Sequence, residues 1–296
     1  VSTTVTLAPT VTIHADEFNS AQAAQSVLCL EVGRDRFRLL VQDVRGRAVY
    51  LDDYTFPSLL EDRPLTNLLP EVFRDHPVLS AGPWQEVRIG VNSPSFTLVP
   101  EPLYRKEYAS SYLALMRGSE LQPHEFAQAY THQAEGFLSV FSMEHALADY
   151  FSEAYPLQPL LFVHQIGALV QATADLDRRS LTADNVYIYF EDEFITILYR
   201  KDHALRYCNR FGYKNVQDMA YYVLYVLEEL AVNTQSTPVN LYGEITPFAE
   251  GYTELSKFLP HLSFGQPPPG LTLAAEFADL PDHRYLSLYG LSLMSE

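Results

Sequence analysis

One arrangement of short apolar runs occurs twice in this chain, and it limits the folds open to it more than any other feature. The first set is Val27-Leu28-Cys29-Leu30-Glu31-Val32, Phe37-Arg38-Leu39-Leu40-Val41 and Ala48-Val49-Tyr50-Leu51. The turn-forming stretches Gly33-Arg34-Asp35 and Val44-Arg45-Gly46-Arg47 separate them. Runs of this length joined by turns this tight read as an antiparallel three-stranded meander. A helical stretch follows from Leu59 to Phe73, with Pro64 near an end or a kink. Val87-Arg88-Ile89-Gly90-Val91 is then a further strand. After Asp175 to Ser180 the same order returns, with strands at Val186 to Phe190, Phe194 to Tyr199 and Ala204 to Phe211. Asn215 caps the next helix, with Asp218 three residues on. Val216, Met219, Ala220, Val223, Leu224, Leu227 and Leu230 then recur at helical spacing. Pro238 to Gly243 closes the second series as a strand.

The fold class this predicts is α/β, built from duplicated β-β-β-α-β halves. Residues 1–25 are rich in Thr, Ala and Gln with weak periodicity and are expected to form an extended arm. Residues 26–180 would be a first lobe with an irregular insertion, and 181–296 a second. The insertion reads as a helix at Glu107 to Met116, strands at Phe126 to Thr131 and Phe137 to Phe141, and a helix at Met143 to Tyr155. Leu160 to Val163 is a buried strand and His164 to Ala174 a helix. Later, Thr246 to Leu259 reads as a helix, and Leu271 to Ala275 and Tyr285 to Leu288 as short strands.

Hydrophobic residues make up 47% of the 296 and charged residues 19%, enough apolar mass for a sizeable core. The net charge is −17, from 37 acids against 20 bases. Such a field repels a phosphate backbone and an anionic membrane, so nucleic acid and membrane insertion are excluded as expectations. It steers a basic protein surface toward the chain. Two cysteines, Cys29 and Cys208, are too few for a disulfide scaffold and read as reduced, packed thiols. The opening segment has no basic n-region or apolar h-region, and no run of about 18 apolar residues occurs, so a cytoplasmic location is expected.

Chemistry-bearing residues are sparse. His145 and Asp149 lie one helical turn apart, but two ligands do not make a metal site, and an ion pair is the expectation. Ser93 lacks the flanking glycines of a nucleophile elbow and reads as a turn residue. Asp52-Asp53, Glu61-Asp62 and Glu228-Glu229 are adjacent acids whose side chains diverge, so solvated faces are expected rather than acid/base pairs. Tyr221, Tyr222 and Tyr225 form a stripe on the long second-half helix. It is either packed core or an aromatic strip for a partner.

The duplicated β-β-β-α-β plan, over roughly residues 25–265, resembles the actin-like (ribonuclease H-like) ATPase superfamily. Within that superfamily the chain looks most like a small bacterial family known as a domain of unknown function with an actin-like fold. It is also similar in plan to actin-like components of type IV pilus and type II secretion machines. The resemblance implies two lobes around a cleft, with nucleotide bound by three glycine-bearing turns. The first family motif, Asp-x-Gly followed by small hydroxylated residues, falls here on Glu31-Val32-Gly33-Arg34-Asp35, where Arg34 and Asp35 occupy the phosphate's place. The second falls on Glu191-Asp192-Glu193, with no glycine and three carboxylates. The third, a Gly-Gly pair, falls on Gly243-Glu244. Glu31, Gly33, Asp35, Glu191, Gly243 and Glu244 are therefore the candidate residues of a degenerate nucleotide cleft. No catalytic residue, metal or cofactor is expected, ATP and magnesium included. The function expected is a non-catalytic scaffold or interaction module with a protein partner, a homodimer being compatible with it. The alternative is an ATP-dependent small-molecule kinase or ATPase using Glu31, Asp35 or Glu191 as its carboxylate.

Overall fold

The structure is a computed structural model describing residues 7–56 and 65–295. It divides into two units. The first comprises Val1–Ala168, Leu271–Ala278 and Leu291–Glu296, and the second Leu169–Gly270 and Asp279–Gly290.

In the first unit, β1 (Val11–His14), β2 (Val27–Val32), β3 (Arg36–Gln42), β4 (Arg47–Thr55), β5 (Glu86–Val91) and β9 (Leu160–His164) form one sheet in the order β1-β4-β3-β2-β5-β9. β2, β3 and β4 are the antiparallel meander, while β5 and β9 continue from β2 in parallel. Every residue of β2 is buried, as expected of a central strand covered on both faces. The weakly periodic start of the chain contributes β1, which pairs with β4 while alternating half-buried and exposed residues. An edge strand of that kind is held by backbone pairing and needs no apolar face.

The described part of the helical stretch before β5 is a 3-10 turn at Leu65–Asn67 and α1 (Leu69–Phe73). Leu59 to Pro64, with the Glu61-Asp62 pair, lies outside the described residues. Between β5 and β9 the insertion forms a small sheet of β6 (Phe96–Pro100), β7 (Glu125–His132) and β8 (Phe137–Glu144), ordered β6-β8-β7. α2 (Ala109–Arg117) packs on it around Leu113, Val99 and Val140. α3 (His145–Ala154) follows β8, and α4 (Gln165–Asp177) follows β9.

The second unit contains β10 (Asp184–Phe190), β11 (Phe194–Lys201), β12 (Ala204–Gly212), β13 (Val239–Gly243) and β14 (Leu262–Phe264), ordered β12-β11-β10-β13-β14. β10, β11 and β12 are antiparallel; β13 and β14 are parallel to β10. The order is thus third, second and first meander strand followed by two parallel strands, the same as in β4-β3-β2-β5-β9. Val186 of the first strand and Val239, which opens the fourth, are direct register partners.

α5 (Val216–Glu229) begins at Asn215, whose side chain accepts from the Asp218 N–H at 2.8 Å. Its buried face (Met219, Ala220, Val223, Val226, Leu227) packs on Ile188, Ile197 and Leu241 in the core. α6 covers only Glu250–Leu255, shorter than expected from Thr246 to Leu259.

The strand expected within Leu271 to Ala275 is present as β15 (Thr272–Leu273), which adds to β4 in parallel. Tyr285 to Leu288, expected as a strand, enters α7 (Leu286–Ser292). A short apolar run is equally compatible with either element, and only packing decides.

Candidate functional site

In sheets with parallel strands, ligands are held at the carboxyl ends of those strands, which here are the ends of β2, β5 and β9 in the first unit and of β10 and β13 in the second. In the first, β2 runs into Gly33, whose N–H donates to the Arg36 carbonyl at 2.9 Å. Asp35 is exposed, and its carbonyl accepts from the Phe56 N–H at 2.8 Å. Glu31 does not point into this turn as a free carboxylate. It faces Arg38 across β2 and β3, and Arg38 faces Asp53 across β3 and β4. The guanidinium donates through Nη1 to Glu31 Oε1 and through Nε to Asp53 Oδ1, each at 3.1 Å. All three residues are buried.

β5 ends at Val91, and the next N–H, of Asn92, donates to the Val32 carbonyl at 2.9 Å. Ser93 lies in the turn read from sequence, its Oγ 2.7 Å from Ser142 Oγ. At the end of β9, the wholly buried His164 lies with Nε2 2.8 Å from the Ser93 carbonyl and accepts the Ile166 N–H at Nδ1. The accepting Nδ1 fixes the ring proton on Nε2, so Nε2 donates to that carbonyl.

In the second unit, Glu191, Asp192 and Glu193 make the β10–β11 turn, closed by the Glu191 N–H donating to the Phe194 carbonyl at 2.9 Å. Asp192 and Glu193 are exposed, while the half-buried Glu191 has Oε2 3.8 Å from Arg210 Nη2. Beside it, at the end of β13, Gly243 has φ 84°, and a Cβ there would lie 2.2 Å from the Phe190 carbonyl oxygen. The glycine is required by the way β10 and β13 finish together.

The Gly243 N–H donates to the His283 carbonyl and the Glu244 N–H to the Phe190 carbonyl, both at 2.9 Å. His283 Nε2 lies 2.7 Å from the Ile245 carbonyl. Glu244 Oε1 is 3.5 Å from Arg284 Nε. The structure therefore groups Glu191, Gly243 and Glu244 at one strand end, and Gly33 and Asp35 in a turn at another. Glu31 sits one residue inside its strand.

An anion site at such turns works by aiming unpaired N–H groups at the ligand. Here the N–H groups of Gly33, Asn92, Glu191, Gly243 and Glu244 each have a carbonyl partner within the protein.

The acids read as solvated at Asp52-Asp53 are instead both buried. Adjacent residues of a strand point to opposite faces, and each found its own partners. Asp52 Oδ2 accepts from the Tyr50 hydroxyl and from His76 Nε2, each at 2.8 Å. His76 Nδ1 accepts the Val78 and Leu79 N–H groups, which places the ring proton on Nε2. Burial, reinforced by the hydrogen bond to Asp52, pushes the Tyr50 hydroxyl far above its ordinary pKa. Tyr50, His14, Phe18, Thr12 and Asn19 border a shallow cavity of about 410 Å³. Two acids inside an otherwise apolar strand were the sequence signal for this buried network.

His145 stacks on Phe126 at 4.8 Å. Among the described residues no group of three or more His, Cys, Asp or Glu side chains could hold a metal ion. Cys29 and Cys208 are free thiols, and burial pushes the Cys29 thiol up to about 12. The tyrosine stripe divides. Tyr222 turns inward and stacks on Phe211, whereas Tyr221 and Tyr225 are 61% and 48% exposed.

A family model described as Protein of unknown function (DUF3822) matches residues 15–262, and the chain belongs to that family. No curated protein matches it. Among solved structures it is similar to a Bacteroides thetaiotaomicron protein with actin-like ATPase fold and unknown function. The identity is 18%, the TM-score 0.77, and 94% of this chain and 99% of that one are covered. It is also similar to a chain of the PilM-PilN type IV pilus biogenesis complex, at 14% identity and TM-score 0.63, covering 90% of this chain and 97% of that one. The α/β fold is thus the actin-like ATPase fold. No helix among the described residues is long and apolar enough to cross a membrane.

Proposed function

We propose that this chain is a non-catalytic actin-like scaffold or protein-interaction module of the cytoplasm, in which the turns that would hold a nucleotide are now bonded internally. The observation that carries the reading is the Gly243–Ile245 turn. Its N–H groups donate to the His283 and Phe190 carbonyls, its Ile245 carbonyl accepts from His283, and Glu244 meets Arg284. A nucleotide entering there would have to displace the chain's own 283–284 segment. The carboxylates of the other turn, Glu191 to Glu193, add repulsion toward a phosphate chain. Glu31, the residue nearest to a catalytic carboxylate in the first motif, is already paired with Arg38. Work with a protein partner is further supported by the structural relative found in the PilM-PilN complex.

The test is a thermal-shift series with millimolar Mg-ATP, Mg-ADP and no nucleotide. A ligand at 100 times its dissociation constant stabilises the native state by about 2.7 kcal/mol, several degrees for a chain of this size. The expected result is no shift. A clear shift overturns the scaffold reading in favour of an ATP-dependent kinase or ATPase, with Glu31, Asp35 and Glu191 the carboxylates to replace.

A further inference from the structure

Between Lys214 and Lys257 the chain contains no lysine, arginine or histidine, but six acids: Asp218, Glu228, Glu229, Glu244, Glu250 and Glu254. This base-free stretch includes both α5 and α6, which pack on each other closely enough that a Cβ at Gly251 would lie 3.1 Å from Met219 Cε. Three of the acids are engaged. Asp218 closes the α5 cap, Glu244 meets Arg284 and Glu254 meets Lys257. Glu228, Glu229 and Glu250 are exposed and make no ion pair among the described residues.

The same stretch of chain carries large aromatic rings that the core does not use. Tyr221 and Tyr225, one turn apart on α5, stack on each other with centroids 5.8 Å apart and planes at 17°. Phe248, just before α6, is 94% exposed, and Phe258, just after it, is also exposed. The contrast with Tyr222 is informative, because it sits between these two tyrosines and packs on Phe211. The outward pair is therefore not overflow from a crowded core. Glu228 and Glu229 lie three and four residues beyond Tyr225, on the same side of the helix.

Stacked electron-rich rings flanked by uncompensated carboxylates favour a cation that also brings apolar surface. A guanidinium lies flat on a tyrosine face and its donors match carboxylates. We propose that the exposed face of α5 docks an arginine-rich amphipathic segment of a partner protein. The charge argues against the other occupants. A second copy of this chain carries the same −17 and would be repelled, as would a nucleic acid or an anionic lipid surface. The proposal deepens the interaction-module reading and rests on it.

The test uses the full chain and fluorescence anisotropy. The probe is a labelled amphipathic helical peptide of about 15 residues with Arg on one face and Leu on the other. A matched peptide with Glu in place of Arg is the control. Micromolar binding of the Arg peptide is expected, and none of the Glu peptide. The double variant Tyr221→Ser/Tyr225→Ser should weaken binding about tenfold or more. Glu228→Lys/Glu229→Lys should do the same, and both should melt as the parent does, since all four side chains are exposed. Reversal of Glu101 and Glu107 in the first unit, both exposed, should change binding by less than about twofold.

No binding of the Arg peptide overturns the proposal, and so does undiminished binding by the tyrosine variant. Equal loss on reversing Glu101 and Glu107 also overturns it, because the attraction would then be bulk charge. The nucleotide thermal shift is a separate readout. A flat shift with failed peptide binding removes this surface alone, whereas a nucleotide shift removes the scaffold reading whatever the peptide does.

Discussion

Glu31, Arg38 and Asp53 face one another on three neighbouring strands, and the register alone brings them together. Breaking such a buried set by removing one partner costs about 3–5 kcal/mol, because a charge is left in apolar surroundings. His132 shows the opposite use of burial. It lies between Tyr130 and Phe137, with Nε2 3.1 Å from Ser139 Oγ, and desolvation lowers its pKa to about 4. The unfolded chain takes up that proton near pH 6.5 and the native protein only near 4. The stabilisation is therefore complete above about pH 6.5 and is lost as pH falls toward 4, amounting to about 3 kcal/mol. Urea unfolding between these limits should show the acid-side decline, and His132→Asn should flatten it. Parallel curves for parent and variant would assign the decline to other groups. None of this was readable from His132 itself, because desolvation is a property of its neighbours.

At the scale of elements, the strands, their turns and α5 were legible because each announces itself locally. Asn215 and Asp218 mark the start of α5, and the apolar period marks its inner face. The elements misread were those with weak local signals. β1 alternates without an apolar face, and Tyr285 to Leu288 is apolar in a way that fits strand and helix equally. Gly243 is where an element's end demands one residue type. The resemblance makes it the remnant of a nucleotide motif, but its positive φ and the nearness of the Phe190 carbonyl are sufficient reasons for it. Gly243→Ala should thus destabilise the protein with no nucleotide present, by about 3 kcal/mol or more, lowering Tm by about 5–10 °C. An unchanged Tm would mean the glycine serves a ligand rather than the fold.

For the whole molecule, a net charge of −17 works against compactness through self-repulsion. Raising NaCl from about 50 to about 300 mM shortens the screening length to several ångströms and should raise Tm by a few degrees. A fall instead would show that exposed ion pairs outweigh the repulsion. The duplicated plan and the two antiparallel meanders were determined by the sequence itself. Each depends on residues close together in the chain, where periodicity and turn chemistry act directly. What only the tertiary structure decided was the state of the polar groups. Asp52 and Asp53 are buried rather than solvated, Glu31 is paired, the Gly243 turn is bonded to residue 283, and Tyr221 and Tyr225 face solvent while Tyr222 does not. The physical reason is that burial and hydrogen-bond partnership are set by segments far apart in sequence. A residue's local pattern says which way it points, and only its distant neighbours settle what it meets there.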